Sequence, residues 1–133
     1  MNTVFADSFY FFALLNNTDA AHERAMAFGK EFRGRLVTTD WIITELGDGL
    51  AKSPRRDVFG PFVRDLENHP RVTVVPSSRS LMNEGIDLYE RRSDKSWSLT
   101  DCISFVVMQQ EGITDVLTGD HHFEQAGFKA LLK

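Results

Sequence analysis

Short apolar segments alternate with amphipathic segments along the whole chain, and this alternation restricts the fold more than any other feature. The apolar segments have the length of strands, and the segments between them place apolar residues at helical spacing. Strands that alternate with helices form βα units and a mostly parallel sheet. The sequence therefore predicts an α/β fold, and residues 1–133 have the length of a single domain.

Residues 103–108 fit either a buried strand or a helix that is buried on most sides. Val106 and Val107 favour a strand, but residues 98–111 contain no glycine or proline and are followed by Gly112. The length of this segment therefore favours a helix. Strands are predicted at residues 3–6, 36–38, 72–75 and 115–118, with a last edge strand at 129–132. Helices are predicted at residues 9–15, 19–32, 41–50, 58–66, 81–90 and 99–110.

The composition excludes several classes of protein. The single cysteine, Cys102, permits neither an internal disulfide nor a cysteine-rich zinc site. The sequence has no signal peptide and no apolar run of roughly 20 residues, so a cytoplasmic protein without a membrane segment is expected. The net charge of −4 is unlike that of proteins that hold nucleic acid by charge alone. Phosphate binding would therefore depend on local basic clusters or on a metal ion.

Four acidic residues occupy positions where an open α/β sheet binds its ligands. Asp7 and Asp120 directly follow predicted strands. Asp101 lies in the first turn of a predicted helix, and Glu45 lies one turn into the helix after the second strand. Ligands of such sheets sit in the crevice beyond the carboxyl ends of the strands. The four carboxylates are therefore expected to converge in that crevice.

Each of these acids also has an ordinary structural interpretation. Ser98 and Asp101 match the S-x-x-D capping box that begins many helices. Asp120 fits a turn position, and Glu45 fits a solvated position on a helix. Asp7 is harder to explain in this way, because a carboxylate within an apolar segment is costly to bury without a partner.

A cluster of four carboxylates needs a cation, because like charges raise one another's pKa unless they are neutralised. Mg²⁺ or Mn²⁺ is expected, since both ions take oxygen ligands. Mg²⁺ also keeps several waters and is often shared with substrate phosphates. Such an ion activates water and stabilises the charge on a phosphodiester during hydrolysis. It also explains how an acidic protein holds an anionic substrate.

Other catalytic motifs are absent from the sequence or weak. The sequence contains no P-loop, no dinucleotide-binding glycine motif and no nucleophile elbow. His121 and His122 are adjacent, so on a regular element they are expected to point in different directions, and a shared metal is not expected. They are interpreted either as loop residues or as residues that support the metal ligands without binding the metal. Cys102 is expected to be buried and inert.

The segments that contain the four acids resemble the PIN-domain family, in particular its VapC-type toxin ribonucleases. These segments are VFADS at residues 4–8, TE at 44–45, SLTDCIS at 98–104 and LTGDHHF at 117–123. The most specific of the matching pieces is DKSWSLTD, at residues 94–101.

The resemblance implies a three-layer α/β/α fold, with a small parallel sheet between helices, that cuts RNA with Mg²⁺ or Mn²⁺. Metal ligands would be Asp7, Asp101 and Asp120. Glu45 would complete the pocket and would orient or deprotonate the attacking water. Supporting positions would be filled by Ser8, Thr100, Thr118 and Asp94. The resemblance further implies a homodimer and the toxin role of a type II toxin–antitoxin pair, whose antitoxin places a basic side chain in the acidic pocket.

The chain departs from the family pattern at two positions. His122 stands where some members have a further acid, which favours one metal ion over two. Asp40 stands where many members have asparagine, and it is interpreted as the N-cap of a helix.

Two other functions are alternatives. A non-catalytic PIN-fold scaffold for RNA binding or processing would have no need of clustered, unpaired acids. An aspartyl-phosphate phosphatase would need a second aspartate at position 9, where the chain has Phe9. A receiver would need its acceptor aspartate after the third strand, which ends at Val75 and Pro76.

Overall fold

Five parallel strands form the sheet within residues 2–133, the part of the chain that the computed structural model describes. They are β1 (Thr3–Ala6), β2 (Arg35–Thr39), β3 (Val72–Val75), β4 (Asp115–Leu117) and β5 (Lys129–Ala130). Valine, threonine and other residues suited to a pleated, half-buried surface dominate the first three strands. The four longer strands agree with the sequence prediction to within one residue at each end.

The order of the strands is β3-β2-β1-β4-β5, with β1 at the centre. Val4 lies opposite Leu36 of β2, and Phe5 lies opposite Val116 of β4. The chain adds β2 and β3 on one side of β1 and then returns to add β4 and β5 on the other. The reversal falls between β1 and β4, and open α/β sheets bind ligands at the carboxyl edge beside such a point.

Seven α-helices surround this sheet within residues 2–133. They are α1 (Ser8–Leu15), α2 (His22–Glu31), α3 (Asp40–Leu50), α4 (Phe59–Asn68), α5 (Arg79–Arg91), α6 (Leu99–Glu111) and α7 (His121–Gln125), with a 3₁₀ turn at Arg56–Val58. α1 contacts α2 and α3, whereas α5 packs along α6 and α6 contacts α7. None of these helices is both long and apolar enough to cross a membrane.

Both faces of the central strand are covered. Successive side chains of a strand point to opposite faces, yet Val4, Phe5 and Ala6 are all fully buried. Helices on both faces of a parallel sheet give the three-layer α/β/α class, and this prediction is confirmed. The buried face of α6 includes Phe105, whose ring centroid lies 4.9 Å from those of both Trp97 and Phe123. The apolar run at 103–108 is therefore a buried helix, as its length predicts.

The start of α3 differs from the sequence prediction. Thr39, and not Asp40, is the N-cap, and its hydroxyl accepts a hydrogen bond from the backbone N–H of Ile42 at 3.2 Å. The Asp40 carboxylate instead accepts a hydrogen bond from the backbone N–H of Ser77 at 2.7 Å. Asp40 therefore ties α3 to the segment after β3.

Three further differences concern the start of α2, the length of β5 and the presence of α7. α2 begins at His22, because Asp19 forms a turn in which its carboxylate accepts the backbone N–H of Ala21 at 2.8 Å. β5 has two residues where four were predicted. α7 was not predicted at all.

α4 tolerates Pro61 because this residue lies in the first turn, where backbone N–H groups have no partner within the helix.

Candidate active site

The four predicted acids line one pocket at the carboxyl edge of the sheet. Asp7 directly follows β1, and Asp120 lies beyond β4. Glu45 lies in α3, and Asp101 lies in the first turn of α6. The remaining residues that line the pocket are Ser8, Phe9, Phe12, Ser96, Ser98 and His122. The fold therefore brings together carboxylates from four separate segments of the chain.

Asp7 is the most deeply buried of the four acids, with 6% of its surface exposed. Its Oδ2 accepts a hydrogen bond from the hydroxyl of Thr118 at 2.8 Å. The pKa of Asp7 is raised from 3.8 to about 7, chiefly by burial. The carboxylates of Glu45 and Asp101 add to this rise, whereas the hydrogen bond from Thr118 opposes it. A carboxyl group in this environment gains more from a bound cation than an exposed one would.

Glu45 is partly buried, and it is oriented by the residue that follows Asp7. The hydroxyl of Ser8 donates a hydrogen bond to Oε1 of Glu45. Burial raises the pKa of Glu45, and the charges of Asp101 and Asp120 raise it further, while the bond from Ser8 acts in the opposite direction. Ser8 therefore holds the Glu45 carboxylate beside the other acids of the pocket.

Asp101 forms the capping box of α6 and also lines the pocket. The hydroxyl of Ser98 accepts the backbone N–H of Asp101 at 3.0 Å, and Oδ2 of Asp101 accepts the backbone N–H of Ser98 at 3.2 Å. The same Oδ2 lies 3.1 Å from Nδ1 of His122. Its Oδ1 makes no hydrogen bond within residues 2–133. The capping role therefore orients Asp101 and leaves one oxygen for a ligand.

Thr118 connects the aspartates that follow the two neighbouring strands β1 and β4. Its fully buried hydroxyl donates to Asp7 and accepts the backbone N–H of Asp120 at 3.1 Å. Asp120 in turn is the N-cap of α7, where Oδ1 accepts the backbone N–H of His122 at 2.9 Å. One hydroxyl thus fixes the positions of two acids.

The two adjacent histidines lie closer together than the sequence predicted. They begin α7 and do not lie in a loop, and their ring centroids are 4.6 Å apart. Nδ1 of His121 and Nδ1 of His122 each lie 3.6 Å from Oδ1 of Asp120. The expectation that the rings diverge was wrong, because side chains in the first turn of a helix tilt back towards its N-terminus and reach the N-cap. The signal that could have indicated this arrangement is an aspartate followed by two histidines shortly after β4, because an aspartate N-cap lies close to the side chains of the first helical turn.

Of the predicted supporting residues, Ser8 lines the pocket and Thr118 contacts two of its acids from outside the lining, whereas Asp94 and Thr100 do neither. Asp94 forms an exposed ion pair with Arg92, with 2.9 Å between Nε and Oδ1. This hydrogen-bonded partner lowers the pKa of Asp94 to about 2. The guanidinium of Arg92 also lies 5.1 Å from the centre of the Trp97 ring. Thr100 lies in the first turn of α6 but is not among the residues that line the pocket.

The chemistry of the donor atoms in the pocket suits a hard divalent cation. The four carboxylates form no ion pair with lysine or arginine within residues 2–133, and only histidine rings approach Asp101 and Asp120. A buried acid surrounded by like charges is stabilised when a cation binds. Mg²⁺ and Mn²⁺ prefer carboxylate and water oxygens. The residues of the pocket therefore fit one of these ions.

A comparison with protein families identifies the class to which this fold and pocket belong. The PIN domain profile matches residues 4–129. The chain therefore belongs to the PIN domain family, as the resemblance predicted.

Solved structures with the same fold include toxins and their complexes. VapC20 of Mycobacterium tuberculosis, described as a sarcin-ricin loop cleaving toxin, is 22% identical, with a TM-score of 0.85 over 94% of this chain and 95% of that one. FitAcB from Neisseria gonorrhoeae is 15% identical, with a TM-score of 0.67 over 96% of this chain and 95% of that one. VapBC2 from Rickettsia felis, bound to a DNA fragment from its promoter, is 11% identical, with a TM-score of 0.66 over 96% of both chains. These similarities concern the fold. No curated protein matches the chain.

Proposed function

We propose that this chain is a metal-dependent endoribonuclease that hydrolyses RNA phosphodiester bonds and acts as the toxin of a type II toxin–antitoxin pair. The observation that carries the proposal is a pocket of four carboxylates around the buried Asp7, none of which has a lysine or arginine partner in the described part of the chain, residues 2–133. Membership of the PIN domain family and the likeness in fold to toxin structures support it.

The proposed roles follow from the contacts of each acid. Asp7, Asp101 and Asp120 would hold Mg²⁺ or Mn²⁺, directly or through water. When bound, the ion would lower the pKa of a water molecule and stabilise the negative charge that develops on the phosphate. Glu45, with its raised pKa, is suited to accept a proton from the attacking water. The hydroxyl of Ser8 would keep Glu45 in position for this transfer.

A basic and aromatic cleft next to the pocket supports RNA as the substrate. The lining of the cleft includes the basic residues Arg92 and Lys95, the acid Glu90, the exposed ring of Tyr89 and the buried ring of Trp97. Ser96 lines both the cleft and the acidic pocket. Tyr89 is 53% exposed, which is unusual for a large aromatic residue in this chain. Cationic side chains bind the phosphate backbone, and exposed aromatic rings stack on unpaired bases. We therefore propose that RNA with an unpaired segment crosses this cleft to reach the acids.

The test is RNA cleavage by the wild-type protein and by Asp7→Asn and Asp101→Asn, with Mg²⁺ or Mn²⁺ present. Both substitutions should lower the rate by about 100-fold or more, the scale on which positioned acid–base groups act. Asp65→Asn, which makes the same change at an exposed position of α4, is the matched control and should cut at the wild-type rate. Equal rates for all four proteins would refute the assignment. A wild-type protein that neither cuts RNA nor binds Mn²⁺ would favour the scaffold alternative.

We also propose that residues 1–133 act as one nuclease domain, in the cytoplasm, as a homodimer that is inhibited by a cognate antitoxin. The similar structures include VapBC2 and FitAB, each bound to a DNA fragment. An antitoxin with a basic side chain in the pocket would neutralise carboxylates that have no lysine or arginine partner within residues 2–133. Its binding to Asp101→Asn should therefore be weaker than its binding to the wild-type protein. Equal affinity of the antitoxin for the wild-type protein and Asp101→Asn would contradict this mode of inhibition. The molar mass from light scattering tests the proposed homodimer.

A further inference from the structure

Asp120, His121 and His122 place three metal-ligating atoms together at the edge of the acidic pocket. One ligand atom from each of the three residues lies within 4.8 Å of the others. Nδ1 of both histidines lies 3.6 Å from the same oxygen, Oδ1 of Asp120. Oδ2 of Asp101 lies 3.1 Å from Nδ1 of His122 and is a fourth candidate ligand atom within reach. We name Asp120, His121 and His122 the histidine site.

Hydrogen bonding explains only part of this arrangement. The 3.1 Å contact between His122 and Asp101 is short enough for a hydrogen bond, and it accounts for the orientation of one ring. The 3.6 Å distances from the two rings to Asp120 are too long for hydrogen bonds. Two imidazole nitrogens nevertheless approach one carboxylate oxygen at the same distance, because the first turn of α7 directs both side chains back towards the N-cap.

The distances match those between ligands of one metal ion. Bonds of about 2.0–2.2 Å to a tetrahedral ion place neighbouring ligand atoms about 3.3–3.6 Å apart. The two distances of 3.6 Å to Asp120 lie at the upper end of this range. The distance of 3.1 Å between His122 and Asp101 is shorter than this range and belongs to the hydrogen bond described above. The three ligand atoms of the histidine site lie within 4.8 Å of one another, so rotations of the side chains would bring them onto one ion.

The exposure of the three side chains leaves a path for an ion. The side chain of His121 is 65% exposed and that of Asp120 is 34% exposed, whereas that of His122 is 21% exposed. His122 faces the acidic pocket, which it also lines, and His121 lies on the solvent side. An ion between them is reached from solvent through the His121 side, and water completes its coordination.

We propose that the histidine site binds a divalent transition-metal ion of the Zn²⁺ or Co²⁺ class, beside the oxygen-lined position of the pocket and with Asp120 common to both. Imidazole nitrogen favours such ions over Mg²⁺, which prefers oxygen ligands alone. A neutral His122 that coordinates through Nδ1 carries its proton on Nε2, so a proton shared between Nδ1 and Oδ2 of Asp101 would move to Nε2 or leave to solvent. Oδ2 of Asp101 would then be available to the ion or to a water on it. The proposal does not depend on the nuclease activity, because it concerns ligand chemistry only.

The first test is titration of the full chain, without an affinity tag, with Co²⁺ and with Zn²⁺. Coordination by the histidine site should produce visible Co²⁺ absorption in the wild-type protein, and calorimetry gives the affinity for Zn²⁺. His121→Ala and His122→Gln should each weaken Zn²⁺ binding by about tenfold or more, the lower end of the cost of losing even a supporting partner at a metal site. His69→Gln, at an exposed position outside the pocket, is the matched control and should bind like the wild-type protein.

A second measurement identifies the coordinating atoms. In ¹⁵N spectra of the imidazole rings, Zn²⁺ should shift Nδ1 of His121 and His122 and leave His22 and His69 unchanged. His121 is exposed, so its alanine variant keeps the test valid even if His122→Gln perturbs the start of α7. Unchanged Nδ1 signals, or Zn²⁺ affinities that agree within twofold between the wild-type protein and the His121→Ala variant, would overturn the proposal.

One variant separates this proposal from the proposed function. Asp7→Asn lies outside the histidine site, so it should keep the Co²⁺ absorption while it loses RNA cleavage. A wild-type protein that cuts RNA but gives no Co²⁺ absorption would refute the histidine site alone. A wild-type protein that gives the absorption but does not cut RNA would refute the nuclease proposal alone.

Discussion

Asp7→Asn is expected to stabilise the metal-free protein above neutral pH, although it removes a proposed metal ligand. Asp7 is 6% exposed, and its pKa is raised from 3.8 to about 7, chiefly by burial. Because the folded protein holds this proton more tightly than the unfolded chain, the free energy of unfolding falls as the pH rises from about 4 to about 7. Asparagine has no proton to lose, and its amide oxygen still accepts the hydroxyl of Thr118.

The magnitude follows from the two pKa values of Asp7. A shift from 3.8 to about 7 corresponds to about 4 kcal/mol when the loss is complete. Between about pH 5 and about pH 8, the loss of free energy of unfolding that results from this shift is about 2–3 kcal/mol. The carboxylates of Glu45 and Asp101 contribute to the shift, so part of the effect belongs to the cluster as a whole.

Urea unfolding in the presence of EDTA, at about pH 5 and about pH 8, measures this effect. The stability of Asp7→Asn relative to the wild-type protein should rise by about 2–3 kcal/mol between these two pH values. The free energy of unfolding of Asp65→Asn should agree with that of the wild-type protein to within about 0.5 kcal/mol at both pH values, as is usual for a substitution at an exposed position. Adding Mg²⁺ at the higher pH should stabilise the wild-type protein more than Asp7→Asn. If the free energy of unfolding changed with pH in the same way for the wild-type protein and Asp7→Asn, burial would not raise the pKa of this carboxyl group.

Two further predictions concern α6 and its neighbours. Gly85→Ala should destabilise the protein by about 1–3 kcal/mol, because its Cβ would lie 2.4 Å from Cγ1 of Ile103 where α5 packs on α6. Asn83→Ala, at an exposed position of α5, should not lower the midpoint of urea unfolding, and equal midpoints for these two variants would contradict the packing argument. Ser98→Ala should lower the free energy of unfolding by about 1 kcal/mol, because the hydroxyl of Ser98 accepts the backbone N–H of Asp101 at 3.0 Å. Ser98→Thr should restore most of this loss in thermal unfolding, and identical melting of the two Ser98 variants would exclude a contribution from the cap.

The alternation of strands and helices was sufficient to predict the parallel sheet, because the period of apolar residues reports which side of an element is buried. The same logic was weaker for the last part of the chain, where it predicted the edge strand β5 two residues too long and missed the helix α7. α7 has five residues and β5 has two, which is too few for a period to be recognised. Their positions depend instead on tertiary contacts, such as the burial of Phe123 in the core.

The convergence of the acids was predictable because the carboxyl ends of parallel strands meet at one edge of a sheet. Side chains whose place depends on a local partner were not predictable in the same way. Asp94 is held by Arg92, and Asp40 is held by the backbone of Ser77, a residue far from it in the sequence. The histidine pair was missed because the position of His122 depends on the N-cap of a helix that the sequence did not reveal.

The hydrogen bond between Thr118 and Asp7 joins residues that are 111 positions apart in the sequence, and this separation determines when the pocket is completed during synthesis. β1 precedes the other strands in the chain, yet one of its two neighbours in the sheet is β4. Until residues 115–120 leave the ribosome, one edge of the central strand has no partner and Asp7 has neither Thr118 nor Asp120 beside it. A nascent chain that stops short of these residues therefore lacks the assembled pocket, and a protein proposed to cut RNA acquires its complete set of acids only after β4 has been translated.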